Sequence, residues 1–169
     1  IKINSKFIPS ENVKVIAKAG LQMRIPVEFS QVKYFGLGPM ETYPDRRECG
    51  RVALYESNVD DLFFQYVVPS ESGNRSDVRY ATLTNKNGFG FRIEGLELFN
   101  FSAYSYTDRA IEKAKHINEL KKSDFITVNI DHAQNGVGTA TCGPGVLDKY
   151  KVLGKPMEFT IYLKPIEGK

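Results

Sequence analysis

Tryptophan is missing from this chain, and cysteine, histidine and methionine are scarce, at two, two and three in 169 residues. The two cysteines, Cys49 and Cys142, stand far apart with no paired metal-ligand spacing, and sequence alone does not say whether they bond. A zinc site of the usual kinds needs more ligands, more closely spaced, than His116 and His132 provide, so no metal site is expected. No stretch approaches the ~20 apolar residues of a membrane helix, and no signal-peptide pattern is present. The chain opens on IKINSKF, without Met and already in strand-like alternation, which reads as a piece of a longer protein. One-signed charge is lacking too. The net charge is +3, and the densest basic spots, Arg46-Arg47 and Lys121-Lys122, have acids nearby. A nucleic-acid binder shows a clustered basic stripe, so neither nucleic acid nor membrane is an expected partner. Repeats, low-complexity tracts and linkers are absent, and residues 1–169 read as one domain.

What is present is period-two alternation. Ile1, Ile3 and Phe7 share a face of a first strand, and Pro9-Ser10-Glu11-Asn12 turns the chain. Val13, Val15 and Ala17 alternate with lysines in a second strand. Ile25, Val27 and Phe29 make a third, extended by 32–35 after a break at Ser30-Gln31. Further strands are expected over 52–56, 63–68, 78–84, 89–93, 96–104, 125–130 and 157–163, with a hairpin at Asn87-Gly88. One short helix is expected near 107–115, capped by Thr107 or Asp108, with Ala110, Ile111 and Ala114 on one face. Many short strands with turn signals between them predict an all-β sandwich.

Three segments carry the chemistry: GLGPMETYPDR (36–46), PSESGNR (69–75) and NIDHAQNGVGTATCGPGV (129–146). Each gathers Gly, Pro, Asn, acids or Arg between apolar runs, the make-up of shaped polar loops. Glu41, Asp45, Glu71, Asp77 and Asp131 are the carboxylates to weigh for acid–base work. Arg46 and Arg47 lie near the first two, and Arg75 and Arg79 near the next two, so acid–arginine pairs that hold loops in shape are the favoured reading. His132 is a candidate base or donor, and His116 a helix-end residue bonding the last carbonyls. Gly136-Val137-Gly138 lacks the strand-to-helix setting of a dinucleotide loop and reads as a tight turn. Tyr43 is the aromatic best placed in a loop to meet a sugar ring.

Taken together, four ordered segments resemble the C-terminal domain of large bacterial β-galactosidases of glycoside hydrolase family 2. GLGPMETYPDR is similar to that domain's G-x-G-P-x-E-x-Y-x-D-R, and YVVPSESGNRSDVRY to its Y-V-x-P-x-E-x-G-N-R. FNFSAYSYTDRAIEKAKHINEL resembles its strand–helix–His segment. NIDHAQNGVGTATCGPGV resembles its N-x-D-x-x-Q-x-G-x-G loop. The match runs from about Gly20 to the end. In one place the chain departs from it. Where many relatives continue G-G-D-D-S-W, with the Trp at the sugar site of the assembled enzyme, this chain has Gly138 to Cys142, and Cys142 stands in place of the Trp. A thiol offers far less stacking surface than an indole.

The resemblance implies an antiparallel β-supersandwich, galactose-mutarotase-like and lacking several N-terminal strands. It implies a parent enzyme that hydrolyses terminal, non-reducing β-D-galactosides with retention. The catalytic glutamates of such enzymes lie in a (β/α)₈ barrel that no segment here encodes. The chain itself is therefore expected to be non-catalytic, packed on that barrel and on other domains of the parent. The substrate-binding residues that the resemblance implies are Gly138, Thr139, Thr141 and Cys142, lining the active-site mouth. Glu41, Tyr43, Asp45, Arg46, Glu71, Asn74, Arg75 and Asp131 are expected to shape the loops. No cofactor is expected in this chain; any divalent and monovalent cations belong mainly to other domains. A docking face exposed on the isolated chain predicts self-association, as a homo-oligomer. The parent is bacterial, with cytoplasm and periplasm both open. Two other readings stand beside this one: an autonomous carbohydrate-binding module, and an aldose epimerase pairing His132 with Glu71 or Asp131.

Overall fold

The computed structural model describes residues 1–138 and 145–168. Its strands are β1 (Lys2–Phe7), β2 (Val15–Ile16), β3 (Lys18–Pro26), β4 (Gln31–Gly38), β5 (Arg51–Asn58), β6 (Arg75–Thr84), β7 (Gly90–Tyr104), β8 (Phe125–Gln134), β9 (Val152–Leu153) and β10 (Met157–Ile166). Two short helices, α1 (Val59–Leu62) and α2 (Asp108–Lys113), interrupt them. The all-β class holds, and every strand pair is antiparallel.

Eight strands join in one sheet that forks at β7. The first part of β7, from Gly90 to Gly95, pairs with β10, which carries β1 on its far edge. Residues Asn100 to Tyr104 pair instead with β8, which carries β3. On its other side β6 follows both parts, with register shifts near Val78, and leads on to β4 and β5. Between the two parts, Leu96 and Leu98 stand exposed. A side chain on Gly95 would collide with the Glu97 carbonyl, so only glycine permits this detour. The apolar faces of both arms meet in one core: Ile126, Val128 and Ile130 of β8, Ile93, Phe99 and Phe101 of β7, Val78, Ala81 and Leu83 of β6, and Phe159 and Ile161 of β10. Each of these side chains larger than alanine, fully buried, contributes about 1.5–3 kcal/mol.

Local chemistry explains the smaller features. At Asn87-Gly88 the hairpin forms with a five-residue loop, because Thr84 pairs Gly90. The Asn85 carboxamide organises it, accepting from the Asn87 and Phe89 amides at 3.0 and 3.1 Å, and Gly88 takes φ 80°. Thr107 caps α2 by accepting from the Ala110 amide at 3.0 Å, and Ile111 packs with Phe63 and Tyr104. The expected second strand shrinks to β2, two residues paired with β9.

One expected strand is absent. Residues 63–68 form an irregular segment leaving Phe64, Val67 and Val68 exposed. The physical reason is Ser72, whose hydroxyl accepts from the Phe64 amide and donates to the Phe64 carbonyl, both at 2.8 Å, so one side chain takes the place of a ladder neighbour. Upstream, the single turn of α1 carries no periodicity that the sequence could announce; Asn58 caps it.

Candidate functional site

On β8, Ile126, Val128 and Ile130 point into the core, so Thr127, Asn129 and Asp131 must face the other side. Register sets Tyr104, Ser102 and Asn100 of β7 opposite them, and Gln22 and Gly20 of β3 opposite Asn129 and Asp131. This second face is polar, yet Ser102, Thr127, Asn129 and Asp131 are all buried on it. Buried polar groups need partners. Asn129 donates to Ser102 Oγ at 3.0 Å and Tyr104 Oη at 2.9 Å, and accepts from Gln22 Nε2 at 2.8 Å. Gln22 also donates to Asp108 Oδ2 at 2.8 Å, and Tyr104 donates to Asp108 Oδ1 at 2.6 Å, which ties α2 to the sheet.

The three polar segments cover this part of the molecule and lock to one another. Glu41 is the hub between the first two: buried, it accepts from the Gly73 amide at 2.8 Å, from Arg46 at 3.0 Å and from the Tyr66 hydroxyl. The Asn74 carboxamide donates to the Thr42 carbonyl at 2.7 Å, and the Ser76 amide to Thr42 Oγ1 at 2.9 Å. Arg75, also buried, donates to the Gly73 carbonyl at 2.7 Å, the Leu62 carbonyl at 3.3 Å and Tyr34 Oη at 3.2 Å. Asp45 joins the first segment to the third, accepting from the Val137 and Gly138 amides at 3.0 and 2.6 Å. Gly138 adopts φ 60°, and Gly136 abuts the Asp45 carboxylate so closely that a Cβ would stand 2.8 Å from it.

Beside this lock a cleft of about 270 Å³ opens between β3, α2 and the loop at 70–72, with Lys18, Glu71, Tyr104 and Asp108 on its walls. The charges on its walls and on buried Asp131 act on one another. Burial raises Asp131 to about 7; Lys18 draws it back, while Glu71 and Asp108 push it further up. Burial also acts against the charge of Asp108, but the bonds from Tyr104 and Gln22 and the charges of Lys18 and Arg24 outweigh it and hold Asp108 below the ordinary range. Lys18 is disfavoured by burial and yet raised, because Glu71, Asp131 and Asp108 surround it.

Several expected residues sit otherwise than their spacing suggests. Tyr43 is 1% exposed, its hydroxyl buried with no hydrogen-bond partner among the described residues, so it offers no face to a sugar. Glu71 meets Lys18 at 3.4 Å rather than Arg75 or Arg79, and Asp77 pairs with Arg47. Asp131 lies within β8 rather than on a loop. His132 stacks on Phe159, with centroids 5.2 Å apart, and lies 3.5 Å from Glu97, so it belongs to another surface than Glu71. His116 precedes a 3₁₀ turn, Ile117–Glu119, and contacts Glu119 at 3.0 Å instead of helix carbonyls. Cys49 is a free, exposed thiol directed at the Glu41 and Arg46 carbonyls. Thr139, Thr141 and Cys142 lie outside the described residues. Among the described residues, no group of three or more His, Cys, Asp or Glu is placed to hold a metal, and no helix is long and apolar enough to cross a membrane. Sequence reasoning passed over Lys18 and Gln22 and gave Asp108 only a helix-capping part. The one available signal was Thr127, Asn129 and Asp131 at period two, in a strand whose other face carries Ile126, Val128 and Ile130.

Comparison with known proteins agrees with the four-segment resemblance. A family described as beta galactosidase small chain matches residues 1–163. A beta-galactosidase of Priestia megaterium is 36% identical over 138 residues, 82% of this chain and 13% of the relative. One from Lactobacillus delbrueckii subsp. bulgaricus is 37% identical over 139 residues, 82% of this chain and 14% of the relative. One from Vibrio cholerae is 34% identical over 138 residues, again 82% and 13%. The chain thus spans only a small part of the length of the relatives it matches.

Proposed function

This chain belongs to the beta-galactosidase small-chain family, and on that premise we propose that it is a non-catalytic domain of a larger retaining hydrolase of terminal, non-reducing β-D-galactosides. Its part is to shape the mouth of an active site whose acid/base and nucleophile lie in another domain. The observation that carries this reading is the grip of Asp45 on Val137 and Gly138. It fixes the root of the segment that runs on to Thr139, Thr141 and Cys142, where the resemblance puts the sugar. A loop that positions substrate needs such support beneath it. Glu41, Asp45 and Glu71 are all engaged as loop supports by hydrogen bonds or an ion pair, which favours a structural role for them.

A second feature favours docking within a larger protein. Met23, Phe91, Leu163 and Pro165, with Ile1, line an open apolar groove of about 430 Å³. We assign this face to contact with neighbouring domains of the parent, and any divalent and monovalent cations to those domains. Exposed apolar patches of this kind mark interaction surfaces.

The test is hydrolysis of a chromogenic β-galactoside by the purified chain and by the intact parent. A silent chain beside an active parent is expected; turnover by the chain alone would sink the proposal. Titration of the chain with galactose and lactose separates the rival reading, since saturable binding would make it an autonomous carbohydrate-binding module.

A further inference from the structure

Between Arg75, opposite Phe101, and Val78, opposite Phe99, β6 carries one residue more than β7, so the strand bulges at Ser76-Asp77. Asp77 takes φ 54° there, in the left-handed region, and among the described residues no other non-glycine does so. Asp tolerates that region better than most side chains, but glycine occupies it without strain. A carboxylate kept at such a position points to a use for it. That use is Arg47, whose guanidinium donates from Nη1 to Asp77 Oδ1 at 3.0 Å and from Nη2 to Oδ2, a two-bond grip. Arg79 steadies the bulge, donating to the Asp77 carbonyl at 2.8 Å.

The pair bears on the loop that carries Asp45. That loop leaves β4 and returns into β5. Its outgoing leg is moored on residues 73–76, Glu41 to Gly73 and Thr42 to Asn74 and Ser76. At the tip the Arg46 amide donates to the Tyr43 carbonyl at 2.9 Å, closing a turn around Pro44-Asp45. On the returning leg Arg46 reaches back to Glu41 and Tyr66, and Arg47 reaches the bulge. Asp45 thus stands between two moorings on adjacent residues of β6, Thr42 on Ser76 and Arg47 on Asp77.

We propose that Arg47 and Asp77 are positioning residues for the substrate mouth, their ion pair holding the returning leg so that Asp45 meets the Val137 and Gly138 amides. This rests on the reading of the chain as a mouth-shaping domain. Neither group touches substrate, and both act through Asp45. The pair is part-exposed, so salt weakens it and the support of the mouth depends on ionic strength.

Three variants test it. Asp77→Asn removes the charge but keeps a residue that tolerates positive φ. Asp77→Gly removes the carboxylate together with the backbone strain. Arg47→Met keeps the stem without the guanidinium. All three are expected to fold, and circular dichroism checks this. In the 169-residue chain each should speed amide exchange at Val137 and Gly138 by about threefold to tenfold. The double variant of Arg47→Met with Asp77→Asn should go no further than either alone, because the two groups act as one pair. In the intact parent each should raise KM for a chromogenic β-galactoside by a similar factor, with kcat unchanged. Salt raised from about 0.05 to about 0.5 M should raise KM in the wild type and leave it nearly constant in Asp77→Asn, a difference that a merely fold-stabilising pair would not give. Unchanged exchange in all three variants, additive effects in the double variant, or an active parent with unaltered KM would overturn the proposal. A parent silent on β-galactosides would fell the mouth reading by itself, while the exchange rates still decide for or against the hold on Asp45.

Discussion

Asp45 and Gly138, far apart in sequence, are held together by a 2.6 Å hydrogen bond from the Gly138 amide to the Asp45 carboxylate, with the Val137 amide on the second oxygen at 3.0 Å. One carboxylate thus sets the course of the backbone where a glycine turns left-handed. Asp45→Ala removes both acceptors at once. The expected loss is about 1.5–3 kcal/mol, the usual worth of a hydrogen bond to a charged group. Amide exchange at Val137 and Gly138 should accelerate selectively; unchanged protection there would show that the turn holds itself.

Asp131 is pushed up to about 7, by burial first, so folding favours its protonated form. At acid pH both folded and unfolded chains carry the proton and nothing is lost. As pH rises from the ordinary aspartate value near 4 to about 7, ionisation of Asp131 erodes stability, and above that window the loss is complete. Asp131→Asn should therefore gain on the wild type across that window, reaching on the order of a few kcal/mol near pH 8. Urea denaturation at about pH 4 and about pH 8 measures it. Equal effects at both values would mean that Lys18 keeps the carboxylate charged.

Gly20 sits where β3 bulges against β8, and a Cβ there would run into the Asp131 side chain and the Ile130 carbonyl. Gly20→Ala is expected to cost about 1–3 kcal/mol through overpacking. Gly145→Ala is the control, because among the described residues nothing lies within 4 Å of its added carbon, and a change within about 0.5 kcal/mol is expected. Thermal melts of both variants decide the point.

The apolar groove of Met23, Phe91 and Leu163 should make the isolated chain self-associate. Leu163→Lys should shift it toward monomer in sedimentation velocity. A wild-type chain that stays monomeric at high concentration would remove the groove as a docking face.

Much of this fold was legible because alternation is a strong signal wherever one strand face is apolar, as in 78–84 and 125–130. It failed at 63–68, where the apolar residues look strand-like but Ser72 supplies the hydrogen bonds of a strand partner. The loops were legible as a group, by their Gly, Pro, Asn and acid content, and Glu41 with Arg46 pairs as spacing suggests. Their long-range partners were not. Nothing local in Asp45 points to Gly138, nor in Glu71 to Lys18, because those contacts join loops to segments that only the folded sheet brings beside them. Asp108 reads from sequence as a helix-start residue, and only the placement of α2 against Gln22 and Tyr104 brings it to the cleft.

The pairing of β1 with β10 has a mechanical consequence. The Ile1 amino group donates to the Leu163 carbonyl at 2.7 Å, so the first strand begins beside the end of the last. Tension applied between residues 1 and 168 would pull on the same end of this antiparallel pair. It would open the rungs one after another, Lys2 from Tyr162 first and Phe7 from Met157 last, and not load them all together in shear. The domain should therefore yield to a small stretching force by peeling at its edge, while the core around β7 stays intact.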